Sequence, residues 1–156
     1  INGCQVLGGL LVEGGMGGTI VNLASAAAYL PTRSLPAYAT TKAAVLALSQ
    51  CLRAELVQAG VGVVAICPGF VHTNITNSAR YVGLDAAQEQ AAKQRATKLY
   101  RLRNFTPRHA ARDILRAVER DVPVVPITIE AKVGLLASRL TPGLLRALAR
   151  TDLIPR

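Results

Sequence analysis

Two short runs of uninterrupted apolar residues mark the first half of the chain. Thr19–Ala24 and Val61–Cys67 are rich in β-branched residues, and each follows a glycine. Apolar character that does not alternate indicates strands that are covered on both faces, as in a parallel sheet. Between the two runs, from Pro36 to Ala59, apolar residues recur every three or four positions, which predicts a long helix that Gly60 ends. Strand, helix and strand in this order make a βαβ unit.

The rest of the chain is predominantly helical in pattern. Pro107 after Thr106 is a helix-start signal, because threonine is a good N-cap and proline suits the first turn. A strand-like run with two prolines follows that helix and suits a sheet edge. In chain order, the remaining predictions are a weak helix over Gly3–Glu13, a simple glycine-rich connection over Gly14–Gly18, a polar helical segment over Asp85–Arg101, a helix from Thr106 to about Arg120, the edge strand Val122–Ile129, and two basic amphipathic helices over about Glu130–Leu140 and Pro142–Ala149.

The composition of the 156 residues excludes an intrinsically disordered chain, because 51% of them are hydrophobic. Three cysteines (Cys4, Cys51 and Cys67) all lie inside apolar runs, so we expect reduced core thiols and a cytoplasmic protein. The longest continuous apolar segment, Ala59–Cys67, falls far short of the ~20 residues of a spanning helix. Since the sequence does not begin with methionine, we expect a piece of a longer protein.

The net charge of +9 is uneven along the chain. Residues 1–79 carry three bases and two acids, whereas the remaining fifteen bases and seven acids give the second half a charge of +8. These bases alternate with alanine and leucine at helical spacing, and aromatic residues make up only 4% of the chain. We therefore expect solvated helix faces and no nucleic-acid partner, with weak attraction to an anionic membrane surface as the alternative.

Polar side chains follow both predicted strands at the same edge of the sheet. Ser25 comes directly after the first strand, and Pro68 begins the loop to Thr73 after the second. Tyr38 and Lys42 lie one turn apart near the start of the crossover helix, which begins at that edge, so all of these groups should meet in one cleft. An ordinary tyrosine hydroxyl has a pKa of about 10 and is a poor base at neutral pH, but a nearby ammonium stabilises the phenolate. This arrangement suits acid–base catalysis at a carbonyl or alcohol oxygen, with a cofactor carrying a hydride.

Three segments, IVNLAS (Ile20–Ser25), YATTK (Tyr38–Lys42) and CPGFVHT (Cys67–Thr73), resemble in order and spacing the second half of the short-chain dehydrogenase/reductase (SDR) family. The resemblance implies an α/β fold, namely the C-terminal half of a doubly wound parallel-sheet Rossmann-type fold, and a partial SDR domain over residues 1–156. It implies a substrate lid over about residues 74–105 and C-terminal helices over about residues 130–150. It also implies that Gly3–Glu13 and Pro36–Ala59 pair between subunits in a homodimer or homotetramer.

The same resemblance assigns roles to individual residues. Ser25 would position the substrate oxygen, Tyr38 would be the catalytic acid–base that contacts it, and Lys42 would bind the nicotinamide ribose and favour the ionised tyrosine. The cofactor would be NAD or NADP. The loop residues that would line its nicotinamide are Pro68, Gly69, Val71 and Thr73, of which the last two would contact the carboxamide.

The expected function is therefore that of an oxidoreductase that transfers a hydride between NAD(P) and a carbonyl or secondary alcohol of a small molecule. Apolar segments around the lid favour a hydrophobic, lipid-like substrate. The alternative is an inactive SDR-like fragment that serves as an interaction or membrane-surface domain, peripheral to the inner membrane face.

Some features of the family are not matched. The glycine-rich turn that binds the pyrophosphate has no counterpart, and Asn2 lies too close to Ser25 to be the family's catalytic asparagine, so activity would require an N-terminal half outside this chain. We expect His72 to be a loop residue at the cleft rim and His109 to face solvent. No His, Cys, Asp and Glu residues have metal-ligand spacing, so no metal is predicted.

Overall fold

The computed structural model describes residues 1–33, 35–72, 85–103 and 105–150, and its elements follow the predicted order. Short 3₁₀ turns occupy Ala26–Ala28 and Val57–Ala59. The helices and strands are α1 (Asn2–Gly14), β1 (Gly18–Leu23), α2 (Pro36–Leu56), β2 (Val61–Cys67), α3 (Ala86–Arg103), α4 (Pro107–Glu119), β3 (Val124–Pro126), α5 (Ile129–Leu140) and α6 (Pro142–Leu148).

The described strands form one parallel sheet in the order β1-β2-β3. Gly18 of β1 pairs with Val61, and the register continues to Leu23 opposite Ile66. On the other side of β2, pairing with β3 runs from Ala65–Val124 to Cys67–Pro126. The strands β1 and β2 are joined by α2, as the βαβ pattern predicts.

Helices cover both faces of the central strand β2, whose residues Val63–Cys67 are wholly buried. Val64 and Ile66 pack on one face with Ala117 of α4. On the other face, Val63 packs with residues of α1 and α2, including Leu11, Leu52 and Leu56. Successive side chains of a strand point to opposite faces, so burial of consecutive residues requires these two layers. The prediction of an α/β fold built on a doubly covered parallel sheet is confirmed.

The predicted edge strand Val122–Ile129 is wrong in length, because only Val124–Pro126 is a strand. Proline has no N–H to donate to a ladder, and Pro123 and Pro126 bracket the short pairing. The next residues turn into a helix: the Thr128 hydroxyl accepts a hydrogen bond from the Ala131 N–H at 3.4 Å and caps α5. Among the described strands β3 does lie at an edge, as its prolines predicted.

Two sequence expectations about burial also need correction. Cys51 is exposed, whereas Cys67 is buried and Cys4 half-buried, and all three are free thiols. Cys51 lies two residues after buried Ser49, roughly 200° around the helix, and so on its opposite side. His109 is half-buried instead of solvent-facing, because its ring packs 5.6 Å from that of Phe105 and its Nδ1 accepts from the Thr106 N–H at 3.4 Å in a capping box.

Within the described ranges, no helix combines the length and the apolar character needed to cross a bilayer. In the same part of the chain, no three His, Cys, Asp or Glu side chains lie close enough together to hold a metal ion. Residues 74–84 of the predicted lid, and Thr73 of the predicted nicotinamide site, lie outside the described residues. The helix α3 lies within the segment predicted to be the lid.

Candidate active site at the carboxyl ends of the strands

Ser25 lies directly beyond β1 and contacts the loop that follows β2. Its extended backbone begins the first 3₁₀ turn, whose Ala27 N–H donates to the Ser25 Oγ at 3.2 Å. The same hydroxyl donates to the Pro68 carbonyl at 3.5 Å, and the Ala26 N–H donates to that carbonyl at 2.8 Å. The ends of two neighbouring strands are thereby joined, as their parallel pairing predicts. A bond of 3.5 Å is at the weak limit for an O–H donor, so the Ser25 proton remains available to a stronger acceptor.

Lys42 joins the first turns of α2 to the end of β1. This helix begins at Pro36, which suits a first helical turn. Tyr38 and Lys42 lie on one face of the helix because they are four residues apart. The Lys42 Nζ donates to the Leu23 carbonyl at 2.8 Å, two residues before Ser25. It also lies 5.8 Å from the centroid of the Tyr38 ring, within the range of a cation–π contact. Tyr38 itself is 43% exposed and therefore accessible to a ligand.

The Pro68–Gly69 loop is fixed by side chains at the start of α5. The Gly69 N–H donates to the Thr128 Oγ1 at 3.1 Å, and the Phe70 N–H donates to the Glu130 Oε1 at 2.7 Å. A Cβ at Gly69 would collide with both of these oxygens. Glycine is therefore required here for close approach of the loop to α5.

The next residues of the loop lead away from β2. Val71 is half-buried and His72 is exposed, consistent with a position at the rim. The His72 N–H donates to the Phe105 carbonyl at 2.8 Å, which ties the loop to the start of α4.

Two titratable groups border the site without being candidates for proton transfer. Burial raises the pKa of the Cys67 thiol to about 11, so this group stays neutral and is a poor nucleophile. Burial also raises the pKa of Tyr29, with smaller contributions from Cys67 and Glu130. The Tyr29 hydroxyl donates to the Ala131 carbonyl at 2.9 Å, so it acts as a structural donor.

The structure thus brings Ser25 and Pro68 into direct contact and places Lys42 beside Tyr38 and the end of β1. Sequence reasoning missed Tyr29, Thr128 and Glu130, which hold the two strand-end segments against α5. A signal for the last two was present: an N-cap threonine followed by an acid in the first helical turn is a helix-start pattern. It was hidden because the apolar run around it was interpreted as strand.

Comparisons with known proteins identify a matching family model and individual relatives. The family model described as short chain dehydrogenase matches residues 1–83. The chain is 43% identical over 156 residues to the probable oxidoreductase EphD of Mycobacterium tuberculosis, covering 99% of this chain and 26% of that protein. It is 42% identical over 68 residues to human 15-hydroxyprostaglandin dehydrogenase [NAD(+)], covering 42% of this chain and 26% of that protein. The chain therefore spans about a quarter of the length of these curated relatives.

Solved structures share the fold. A short chain dehydrogenase/reductase from Burkholderia phymatum in complex with NAD has a TM-score of 0.74 at 24% identity, over 99% of this chain and 57% of that one. A short chain dehydrogenase from Burkholderia cenocepacia in complex with NADP has a TM-score of 0.72 at 21% identity, over 94% of this chain and 52% of that one. Because the family model matches more than half of the residues, the chain belongs to the short chain dehydrogenase family.

Proposed function

We propose that this chain is the catalytic half of an NAD- or NADP-dependent oxidoreductase that interconverts a carbonyl and a secondary alcohol. The observation that carries the proposal is the position of Lys42, whose ammonium donates to the Leu23 carbonyl and lies 5.8 Å from the Tyr38 ring. The similarity to an NAD(+)-dependent dehydrogenase and the fold shared with NAD- and NADP-bound proteins support the choice of cofactor.

The donor set of the site fits a nicotinamide ribose. A lysine ammonium has three N–H donors, and its bond to Leu23 uses one, so the others can hold ribose hydroxyls. The turn that binds the pyrophosphate would come from residues outside these 156. Pro68, Gly69, Val71 and Thr73 would line the nicotinamide ring.

The residues of this chain would then divide the proton chemistry between them. When bound, the nicotinamide supplies or accepts the hydride. Tyr38 would donate its hydroxyl proton to the substrate oxygen during reduction and accept one during oxidation, while the Lys42 ammonium stabilises the phenolate. Ser25 would exchange its weak bond to Pro68 for a stronger one to the same substrate oxygen.

Substitution of Tyr38 by phenylalanine in the full-length protein tests the acid–base role. We expect turnover of a series of ketones to fall by about 10²-fold or more, since general acid–base catalysis contributes about that much. NADH and NADPH binding, followed by nicotinamide fluorescence and by thermal stabilisation, should persist; a ligand at 100 times its Kd adds about 2.7 kcal/mol. Unchanged turnover, or equal loss of turnover and cofactor binding, would contradict the proposal.

We propose a hydrophobic substrate, because an open pocket of about 180 Å³ with mainly apolar walls lies on the segment that follows Ser25. Tyr29, four residues after Ser25, contributes to this pocket. The other lining residues are Pro31, Ser138, Pro142, Leu145 and Arg146. Ketones of increasing chain length should show rising kcat/KM, and a constant value along the series would argue against an apolar site.

We also propose that α1 and α2 pair between subunits in a homodimer or homotetramer. Four large apolar residues of α1, namely Val6, Leu7, Leu10 and Val12, are exposed. Replacement of Leu10 by glutamate should lower the mass measured by light scattering. The matched change at Leu115, an exposed residue of α4, should not; equal masses for both variants and the parent would exclude α1 from the interface.

A second candidate function, association with an anionic membrane surface, is favoured by one face of α5. Ile129, Val133, Leu136 and Leu140 follow helical spacing and are exposed, Ile129 by 76%. Exposed bases accompany this apolar stripe and its continuation along α6, namely Lys132, Arg139, Arg146 and Arg150. Such a pattern matches helices that lie in the membrane interface.

Sedimentation with vesicles of phosphatidylglycerol tests this surface. We expect binding that weakens at high salt and is absent from phosphatidylcholine vesicles, because attraction of bases to anionic lipid is screened. A Leu136→Glu, Leu140→Glu double variant should lose binding, whereas Leu115→Glu should retain it. Equal behaviour of these two variants would refute a role for α5.

A further inference from the structure

The first turn of α5 holds both the segment that follows β1 and the segment that follows β2. From the β1 side, the Tyr29 hydroxyl donates to the Ala131 carbonyl at 2.9 Å. From the β2 side, the Gly69 and Phe70 N–H groups donate to the side chains of Thr128 and Glu130. Two consecutive N–H groups of one loop thus donate hydrogen bonds to two side chains at the start of one helix.

The Glu130 bond is the stronger of these two loop contacts. At 2.7 Å it is shorter than the 3.1 Å bond to Thr128, and a carboxylate acceptor makes a charge-assisted hydrogen bond. Glu130 lies in the first turn of α5, where the helix dipole favours an acid. Thr128 is only 4% exposed and also caps the helix, so its geometry is fixed by two bonds.

A purely local role in starting α5 does not account for this geometry. The Glu130 carboxylate accepts from an amide that lies 60 residues earlier in the chain, and the loop needs a glycine at position 69 to approach it. Phe70 lies between Gly69 and Val71, two of the residues proposed to line the nicotinamide.

We propose that Glu130 is a positioning residue that sets the affinity for the nicotinamide half of the cofactor by fixing the Phe70 amide. This inference rests on the proposed function, which places the Pro68–Val71 backbone against the nicotinamide. Glu130 acts through the loop, and this role requires a side chain long enough to accept the hydrogen bond of the Phe70 N–H.

Two variants in the full-length protein distinguish the effect of the length of the Glu130 side chain from the effect of its charge. Glu130→Asp keeps the charge at the helix start but is one methylene too short for the Phe70 amide, whereas Glu130→Gln keeps the reach and an acceptor oxygen. We expect Glu130→Asp to raise the KM for the dinucleotide by about 10-fold and Glu130→Gln by less than about threefold. The inhibition constant of ADP-ribose, which lacks the nicotinamide, should stay within about twofold in both. Glu119→Ala, which removes an exposed carboxylate of α4, is the control for lost charge.

Hydrogen exchange at Phe70 distinguishes failure of this inference from failure of the proposed function. Faster exchange in Glu130→Asp than in Glu130→Gln, together with the KM change, supports the proposal. Unchanged exchange overturns the contact and leaves the proposed function untouched. Faster exchange with an unchanged KM overturns the positioning role and removes the loop from the nicotinamide site. A larger KM change in Glu130→Gln than in Glu130→Asp, or parallel weakening of ADP-ribose, also overturns it.

Discussion

Replacement of Lys42 by methionine removes the cation beside Tyr38 and leaves a side chain of similar length. The phenolate charge is spread over the ring and the oxygen, so the 5.8 Å from the Lys42 Nζ to the ring centroid sets the scale of the lost attraction. Coulomb's law gives about 0.7 kcal/mol at the dielectric constant of water and about 3 kcal/mol at an effective value of 20. Since 1.36 kcal/mol corresponds to tenfold in rate, kcat should fall between about threefold and about 100-fold. Loss of the ribose contact should raise the cofactor KM as well.

The assay follows the absorbance of the reduced nicotinamide with the best ketone of the substrate series. Lys42→Arg keeps the positive charge and should recover part of kcat, although a planar guanidinium will not reproduce the bond to Leu23. Arg112→Met, which removes an exposed cation of α4, should leave both kcat and KM unchanged. If Lys42→Met raises the KM and leaves kcat intact, the lysine only binds the cofactor, and its electrostatic role in proton transfer is refuted.

Three further predictions concern stability and can be measured by urea denaturation. Hydrogen bonds from Arg53 hold the pKa of the Asp121 carboxyl below its usual range. This pair therefore stabilises the fold at pH values above the ordinary carboxyl pKa. The stabilisation is lost as the pH falls through the pKa that Asp121 has in the folded protein. Because both side chains are partly exposed, Asp121→Asn should cost at most about 1 kcal/mol at neutral pH, and a difference that persists in acid would contradict the assignment. Ser49→Ala leaves the Asn22 amide without its buried acceptor and should cost about 1–3 kcal/mol, whereas a neutral effect would mean that the amide finds another partner. Thr106→Ala should cost about 1 kcal/mol by removing the N-cap of α4, and failure of Thr106→Ser to restore it would argue against capping as the cause.

The elements that were predicted best from the sequence are those bounded by a glycine or a proline, because these residues mark where a helix or strand begins or ends. Strand β2 begins after Gly60, which adopts the left-handed conformation with φ +68°, and ends before Pro68, so its predicted and observed bounds coincide. Helix α2 begins at Pro36 as predicted for the same kind of reason. The predicted length of β3 was wrong because the prolines and β-branched residues of this segment suit both a strand and the irregular backbone that follows it.

The site could be predicted to the level of strand ends but not of side-chain contacts. Parallel strands place their carboxyl ends at one edge, which was enough to bring Ser25 and Pro68 together. That the Lys42 ammonium reaches the Leu23 carbonyl depends on a rotamer, which spacing along the helix does not determine. The bonds of Gly69 and Phe70 to α5 join residues 59 and 60 positions apart, so they follow from tertiary packing alone.

The short length of β3 explains how a C-terminal helix comes to act on the site. A strand that continued to Ile129, as the apolar pattern suggested, would carry the chain past the end of β2 and away from the loop that follows it. Because pairing stops at Pro126, opposite Cys67, the chain turns into α5 beside the residues that follow Cys67. The first turn of that helix then receives the Gly69 and Phe70 amides, and its Ala131 carbonyl receives the Tyr29 hydroxyl. The prolines that shorten the edge strand β3 thus place the start of α5 where it can hold both strand-end segments. The geometry of the candidate active site therefore depends on the position of α5.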